Sequence, residues 1–156
     1  MNLEYTELRN KHLRWAEGYS ETPYPDTKGI PTIGIGHNLR AKPLTGRYLA
    51  AYRQNNRLSR ELIYELLGED VAIAETDAEK LFPALWTFSV ARQVALVDLV
   101  FNMGFTKLNS QFQPTIAHIN AQEWEDVAQH LEGTLWYKQV GKRSKRVVSW
   151  LRSGVY

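Results

Sequence analysis

Three absences limit what this chain can be. It contains no cysteine, so disulfides, thiolate nucleophiles and zinc–thiolate centres are excluded, and the sequence fits a reducing or an oxidising compartment equally well. No stretch approaches the roughly 18 consecutive apolar residues of a membrane-spanning helix, so we expect no membrane span. Residues 1–18 also lack the apolar core of a secretory signal, which predicts synthesis in the cytoplasm without export by that route.

Acidic residues are also absent after Glu132, where only basic residues carry charge: Lys138, Lys142, Arg143, Lys145, Arg146 and Arg152. A solvated helix face is the simplest interpretation of such a cluster, and a surface that binds an anionic polymer is the functional one. Apolar side chains at helical spacing, including Trp136 and Trp150, accompany the cluster, and no nucleic-acid-binding motif does. We therefore expect no nucleic acid as a partner.

The composition is that of a globular protein. Of the 156 residues, 44% are hydrophobic and 23% are charged, values that argue against disorder. A chain of this length can bury roughly two-thirds of its unfolded surface. No low-complexity linker and no internal repeat divides the sequence, so we expect a single domain over residues 1–156.

The N-terminal segment 3–16 has the spacing of an amphipathic helix. One face of it carries apolar side chains with a histidine among them: Tyr5, Leu8, His12, Trp15 and Ala16. Leu3 and Leu13 fall off this face, which weakens the pattern.

Residues 22–37 predict a small β region instead. Prolines and glycines interrupt any continuous helix, and Ile33 and Ile35 alternate with glycines as in a short twisted strand. Because proline cannot donate to a sheet ladder, Pro31 is expected at the start or edge of a strand. The segment is therefore expected to form a small hairpin or meander.

The rest of the chain is predicted to be mostly helical. A polar loop over 38–58, with one helical turn around 47–53, leads to a helix over 59–82 that Ser59 caps and Pro83 ends.

A central helix is predicted over Ser89–Met103, because the segment is apolar on nearly all sides, and Gly104 follows as its C-cap. Shorter helices are expected at about 112–119, 122–132, 134–139 and 142–152.

Together these elements predict an α+β fold that is mainly helical, with a small antiparallel β-sheet near the N-terminus. We expect two lobes with a cleft between them. A β-containing lobe covers about 17–60, an interlobe helix covers about 59–82, and a helical lobe covers about 83–156 and includes the N-terminal helix 3–16.

Two carboxylates and a threonine indicate cleavage of a glycosidic bond. Glu17 ends the first helix, Asp26 follows after eight intervening residues in a Pro-Asp-Thr-Lys-Gly turn, and Thr32 follows after five more. Two carboxylates across a cleft can protonate a leaving group and activate water. Singly, each residue has a structural explanation, as a surface acid, a turn aspartate and a strand threonine. Their joint spacing before the Gly-Ile-Gly-His run that ends at His37 favours the catalytic interpretation.

The run EGYSETPYPDTKGIPTIGIGH, from Glu17 to His37, closely resembles the catalytic signature of the phage T4-type lysozymes. The similarity continues more weakly through 58–71, 92–104 and 136–148. These three segments are similar to the interlobe helix, the buried central helix and the basic W-Y-x-Q segment of that family. The resemblance implies the family's two-lobe lysozyme-like fold.

The resemblance also implies roles for individual residues. Glu17 matches the general acid, Asp26 matches the second carboxylate, and Thr32 matches the residue that helps to hold the attacking water. Arg143 lies in the segment whose arginines face the catalytic glutamate in the family. Asn102 stands where the family's best-known member has a glutamine.

Two further expectations come from the match and its departures. His37 is expected to fix the end of the β lobe by pairing with Asp70 on the interlobe helix. Ala16 replaces the acidic residue that precedes the catalytic glutamate in the family's best-known member. Arg143 is therefore expected to have fewer competing partners and to interact more fully with Glu17.

The function implied by the resemblance is that of a muramidase. Such an enzyme cleaves the β-1,4 bond of peptidoglycan between N-acetylmuramic acid and N-acetylglucosamine, by acid/base hydrolysis that we expect to be inverting. The expected setting is a monomeric phage endolysin, made in the host cytoplasm and acting on the cell wall after holin-dependent release. A tail-associated lysin and a bacterial lysozyme fit the sequence as well.

No cofactor and no metal are expected, because the four histidines at positions 12, 37, 118 and 130 are scattered without a ligand-like cluster. Three alternatives stay open. A lytic transglycosylase on the same fold would need the acid but not the Asp26–Thr32 pair. A catalytically idle peptidoglycan-binding module would be expected to lose one acid. A nucleic-acid binder would use the basic C-terminal region.

Overall fold

The computed structural model describes residues 2–156. The described residues divide into two compact units, one formed by residues 2–9 with Ile73–Tyr156 and the other by Asn10–Ala72. Helices α1 (Leu3–Glu17) and α3 (Arg60–Leu81) contribute to both units, because the boundaries of the units fall within these helices. Whether the chain behaves as the single domain predicted above stays a prediction.

The unit Asn10–Ala72 contains a three-stranded antiparallel sheet in the order β1-β2-β3. The strands are β1 (Ser20–Pro25), β2 (Pro31–Gly34) and β3 (His37–Asn38). The predicted meander is therefore confirmed, and Pro31 is the first residue of its strand, where its missing N–H group costs least. The register places Tyr24 opposite Thr32, with an irregularity between Ser20 and Tyr24.

The core of this unit is built from aliphatic side chains of the helices, the strands and the segments that connect them. The fully buried members are Leu13, Ile33, Ile35, Leu58, Ile63, Leu67 and Val71. The expected apolar face of α1 is wrong in two places, because Leu13 is buried whereas Trp15 is 44% exposed. Tertiary packing thus shifts the buried face away from the one that the spacing favours.

The predicted loop over 38–58 contains a complete helix, α2 (Gly46–Asn55). A single turn was expected because the segment is polar and has little apolar periodicity. Of its residues only Tyr48 is buried. The Tyr48 hydroxyl donates to Glu69 Oε1 of α3 at 2.9 Å, and Arg47 forms an ion pair with Glu65 of the same helix. These contacts with α3 stabilise the helix, although its own apolar periodicity is weak.

Helix α3 begins where the sequence predicts. The N–H of Leu62 donates to Ser59 Oγ at 3.2 Å, so Ser59 is the expected N-cap.

The other unit is helical beyond α3. A 3₁₀ turn at Leu85–Thr87 is followed by α4 to α9, which cover Val90–Met103, Phe105–Gln111, Gln113–Asn120, Trp124–Glu132, Leu135–Val140 and Lys142–Ser153. Helix α4 is the predicted buried helix. Ser89 Oγ caps it by accepting from the Arg92 N–H, and Gly104 is its C-cap. The segment 105–111 is a helix that the sequence analysis missed.

These findings confirm the predicted fold class, a mainly helical α+β fold with a small N-terminal antiparallel sheet. Across residues 2–156, no helix has both the length and the apolar character that crossing a membrane would need.

Candidate active site

Glu17 is the last residue of α1, and its carboxyl group lies against the turn between β2 and β3. A Cβ atom built on Gly36 would lie 2.9 Å from both Cδ and Oε2 of Glu17. Only glycine therefore allows the backbone to approach this carboxyl group so closely. The Tyr24 hydroxyl also donates to the backbone carbonyl of Glu17 at 3.2 Å. The end of the helix is thereby held against the sheet.

Asp26 forms the turn between β1 and β2. Its Oδ1 atom accepts from the N–H groups of Lys28 and Ile30, at 2.8 and 2.9 Å. The Gly29 N–H donates to the Asp26 carbonyl at 2.9 Å. Within residues 2–156, these side-chain bonds engage Oδ1 and leave Oδ2 available to a ligand. The turn and the catalytic interpretation of Asp26 are therefore compatible, because they use different oxygens.

Thr32 is buried in β2, opposite Tyr24 of β1. Its hydroxyl donates to the Ile30 carbonyl at 2.8 Å. Because a hydroxyl has one hydrogen, Thr32 Oγ1 can only accept from any further partner. A water molecule beside Thr32 would therefore have to point a hydrogen at it.

His37 opens β3 and joins it to α3. Its Nδ1 lies 2.7 Å from Asp70 Oδ2, and its Nε2 lies 2.8 Å from the Lys42 carbonyl. The predicted Asp70 partner is thus confirmed. Both partners are hydrogen-bond acceptors, so the arrangement favours the imidazolium, in which both ring nitrogens carry hydrogen.

The pKa of His37 reflects opposing effects. Burial alone would lower it, but the hydrogen bond and charge of Asp70, with the Lys42 carbonyl, raise the pKa above its ordinary value. These contacts connect the end of the sheet to α3 and to Lys42. They agree with the structural role that was expected of His37.

Arg143 and Asn102 belong to the helical unit. The Arg143 guanidinium donates to both oxygens of Asp98, with Nη2 to Oδ1 at 2.6 Å and Nε to Oδ2 at 3.1 Å. Asp98 is 1% exposed, on the buried helix α4. Arg143 therefore has one strong competing partner, because this carboxylate, 45 residues away in the chain, binds it in a bidentate pair. An interaction of Arg143 with Glu17 stays a prediction.

Asn102 lies near the C-terminal end of α4, and its Oδ1 accepts from the Trp136 indole N–H at 2.8 Å. This bond fixes the orientation of the amide and leaves its NH₂ group as the donor for a ligand.

The sequence profile of the family described as phage lysozyme matches residues 14–151. This segment is most of the chain and includes every candidate residue from Glu17 to Arg143. The chain belongs to the phage lysozyme family.

Individual relatives of this phage lysozyme family member are moderately similar. The pre-baseplate central spike protein Gp5 of Enterobacteria phage T4 is 29% identical over 171 residues, which cover 98% of this chain but only 28% of that protein. Probable T4-type lysozymes 2 and 1 of Dictyostelium discoideum are 29% and 26% identical, over 157 and 160 residues. Each of these two alignments covers 91% of this chain and 92% of the relative.

Tyr24 lies beside the candidate carboxylates of this family member, and the sequence analysis did not single it out. Burial raises its pKa most, and the charges of Glu17 and Asp26 raise it further. Its phenol therefore lies in the electrostatic field of both candidate carboxylates. No strand pattern could have pointed to Tyr24, because β1 ends at Pro25 and Asp26 lies in the turn beyond it, where the rule that residues two apart share a face no longer holds.

A second group of potential ligands lies on α6, on α7 and at the N-cap of α7, away in sequence from the candidate carboxylates. His118, Glu123 and Asp126 each offer one ligand atom, and these atoms lie within 4.8 Å of one another. The histidines are scattered in the sequence, as noted above, but the turn between the two helices brings one of them to two acids. His118 Nδ1 already contacts Glu123 Oε1 at 3.2 Å.

Proposed function

We propose that this chain is a muramidase-type peptidoglycan hydrolase, which cleaves the β-1,4 bond between N-acetylmuramic acid and N-acetylglucosamine. Membership of the phage lysozyme family supports the enzyme class. The observation that carries the proposal is the grouping of Glu17, Asp26 and Thr32 around the small sheet, each held by its own contacts with residues of the same unit.

In this proposal Glu17 is the general acid. It donates its proton to the glycosidic oxygen as the bond breaks. The close approach of Gly36 to its carboxyl group restricts where the side chain can lie. A proton donor held in one position contributes more to the rate than a mobile one, because less freedom is lost in the transition state.

Asp26 and Thr32 together orient the attacking water. The water donates one hydrogen to Asp26 Oδ2, which acts as the base, and the other to Thr32 Oγ1. Its lone pair is then directed at the sugar. The Thr32–Ile30 hydrogen bond supports this arrangement, since it makes Thr32 Oγ1 an acceptor. For inversion, the carboxyl groups of Glu17 and Asp26 should be separated by about 6.5–9.5 Å.

The remaining candidate residues support the catalytic groups or the substrate in this proposal. We propose that Arg143, oriented by Asp98, interacts with Glu17 and holds it in place, and that the Asn102 NH₂ group donates to the saccharide. His37 maintains the sheet that carries the catalytic threonine. None of these steps requires a cofactor.

The biological setting that we propose is bacteriolysis by a monomer, made in a host cytoplasm and released to the cell wall through a holin-made opening. The similarity to a protein named as a phage central spike supports a second setting, in which the chain travels on the phage particle. Detection of the chain in purified phage particles would favour the second setting.

Mass analysis of the products from purified peptidoglycan tests the enzyme class. Reducing muropeptides are the expected products. Products with 1,6-anhydro ends would instead show a lytic transglycosylase, and binding without release of fragments would show an idle wall-binding module. A salt-sensitive shift of DNA together with no release would favour a nucleic-acid binder.

The variant Glu17→Gln tests the assignment of the acid. Its amide cannot donate the required proton, so we expect turnover to fall by at least about a hundredfold. Glu7→Gln is the matched control, because it makes the same change at an exposed position of the same helix. Near-normal turnover by a folded Glu17→Gln protein, or an equal loss in Glu7→Gln, would contradict the assignment.

A further inference from the structure

Tyr24 lies opposite Thr32 because the register of the sheet is irregular. Ser20 pairs with Gly34 and Tyr24 pairs with Thr32, so β1 advances by four residues while β2 advances by two. An unbroken antiparallel ladder that starts from the first pair would place Thr22 opposite Thr32 instead. Irregularities of this kind re-aim side chains and are frequent beside active sites. This one places a phenol next to the threonine that is proposed to hold the attacking water.

The local sequence restricts the irregular segment. The Ser20 hydroxyl donates to the Thr22 carbonyl at 2.6 Å and accepts from the Thr22 N–H at 3.3 Å. Pro23 and Pro25 stand on either side of Tyr24. A proline fixes its own φ angle, and it also restricts the residue before it to extended conformations. The backbone of Tyr24 therefore has little freedom, and the position of its ring depends on two side-chain torsions.

The hydroxyl of Tyr24 reaches the end of α1. It donates to the Glu17 carbonyl at 3.2 Å, and Glu17 is the last residue of that helix. The last four carbonyl groups of a helix have no partner within the helix, so this bond satisfies one of them. The next residue, Gly18, donates its N–H to the Arg14 carbonyl at 2.9 Å. The two bonds hold the backbone from which the Glu17 side chain extends.

The charges of both candidate carboxylates act on Tyr24. Burial raises the pKa of Tyr24 most, and the charges of Glu17 on α1 and Asp26 in the following turn raise it further. Strand β2 contributes the uncharged Thr32 opposite it. The phenol therefore keeps its hydrogen at neutral pH. Its bond to the Glu17 carbonyl persists over the pH range in which Glu17 can act as an acid.

Tyr24 thus connects the two sides of the candidate active site. Its backbone pairs with the strand that carries Thr32, and its hydroxyl holds the backbone of Glu17. We propose that Tyr24 is a positioning residue, which keeps the Glu17 carboxyl group at a fixed distance from Asp26 and Thr32. This inference rests on the proposed function, because cleavage of a glycosidic bond needs its acid and its base at a set separation. Tyr24 acts through Glu17 and not on the sugar itself.

The variant Tyr24→Phe tests this inference, because it keeps the ring and removes the hydroxyl. On soluble peptidoglycan fragments its kcat should fall by about tenfold or more, with little change in KM. Tyr48→Phe is the matched control, since it removes a hydroxyl of the same unit that donates to Glu69 at 2.9 Å. Both variants should melt about 2–4 °C below the parent protein. We expect a loss of turnover in Tyr24→Phe and none in Tyr48→Phe.

A double variant shows whether Tyr24 acts through Glu17. Addition of Tyr24→Phe to Glu17→Gln should slow the residual reaction little further, because no proton donor is left to position. A residue with a general structural role would instead lower the rate by the same factor in both backgrounds.

Hydrogen exchange follows the contact between Tyr24 and α1 without relying on activity. Loss of the hydroxyl should let the end of the helix open more often. The Gly18 amide, which is bonded to the Arg14 carbonyl, should therefore exchange roughly fivefold faster in Tyr24→Phe than in the parent protein. In Tyr48→Phe its exchange rate should be unchanged.

Four outcomes would overturn this inference while the proposed function stands. They are a kcat of Tyr24→Phe equal to that of Tyr48→Phe, a loss that appears in KM instead of kcat, an equal loss in the Glu17→Gln background, and unchanged exchange of the Gly18 amide. Failure of the proposed function would be seen in the parent protein itself, which would release no muropeptides from purified peptidoglycan. The positioning role of Tyr24 would then fail with it.

Discussion

Asp26 has two tasks that a pair of variants can separate. Asp26→Asn keeps an oxygen for the Lys28 and Ile30 N–H groups but cannot act as a base. We expect it to melt close to the parent protein while turnover falls by roughly 10²–10⁴-fold. Asp26→Ala loses the turn bonds as well and should also be destabilised, by about 1–3 kcal/mol. The measurements are thermal denaturation and the rate of muropeptide release.

If Asp26→Asn retained full turnover, the carboxylate would serve the turn alone. If Asp26→Asn were as unstable as Asp26→Ala, the turn would depend on the charge of the carboxylate and the two tasks could not be separated.

The His37–Asp70 pair makes stability depend on pH. The folded protein raises the pKa of His37, so the folded state holds its proton more tightly than the unfolded state. The pair's contribution is therefore complete below the unfolded pKa of about 6.5 and is lost as pH rises through the higher folded value. His37→Asn should lower the free energy of unfolding by about 1–3 kcal/mol at acidic pH, and by less at alkaline pH.

The measurement is denaturant unfolding of both proteins over a range of pH. The turnover of folded His37→Asn should change little although its free energy of unfolding falls, since His37 is assigned to the structure of the sheet. A parent protein and variant with equal stability at every pH, combined with lost activity, would reverse the assignment.

Among the elements, the strand β2 and the turn after it show how glycines position a functional group. Gly34 and Gly36 have φ angles of +66° and +70°, a conformation that costs other residues roughly 1–2 kcal/mol. At Gly34 an added Cβ would meet Ile63 at 3.2 Å, whereas at Gly36 it would meet the Glu17 carboxyl group at 2.9 Å. Substitutions at the two positions should therefore differ in their effect on activity.

We expect Gly34→Ala and Gly36→Ala to be destabilised to a similar degree. Only Gly36→Ala should also lose most of its turnover, because its Cβ displaces the proposed acid. Melting temperatures and turnover numbers of the two variants provide the comparison. A Gly36→Ala protein as active as Gly34→Ala would show that the position of the Glu17 carboxyl group is not critical.

At the level of the whole chain, the buried pair of Asp98 and Arg143 joins α4 to α9. The exposed fractions of these side chains are 1% and 10%. Asp98→Leu leaves the guanidinium buried without this carboxylate, so it should cost about 3–5 kcal/mol. The double variant Asp98→Leu/Arg143→Met replaces both charges with apolar groups and should recover much of that loss.

Denaturant unfolding of Asp98→Leu, Arg143→Met and the double variant gives the coupling energy. A double variant less stable than Asp98→Leu would show that Arg143 stabilises the fold chiefly through other partners. The double variant should also lose activity, because Arg143 is proposed to hold Glu17.

The local sequence was sufficient to predict the helices over 59–82 and 89–103, the β meander and the spacing of Glu17, Asp26 and Thr32. These features depend on short-range patterns, namely apolar periodicity, capping residues and the backbone limits of proline and glycine. The family resemblance added the partner of His37, which no local pattern reveals.

Tertiary structure alone decided the remaining features. Helix α2 forms against α3 although its own pattern is weak, and Asp98 meets Arg143 across 45 residues of chain. The physical reason is the same in each case. A local pattern shows which residues prefer to be buried, whereas packing of distant segments decides which polar groups are buried with them and which partners they find.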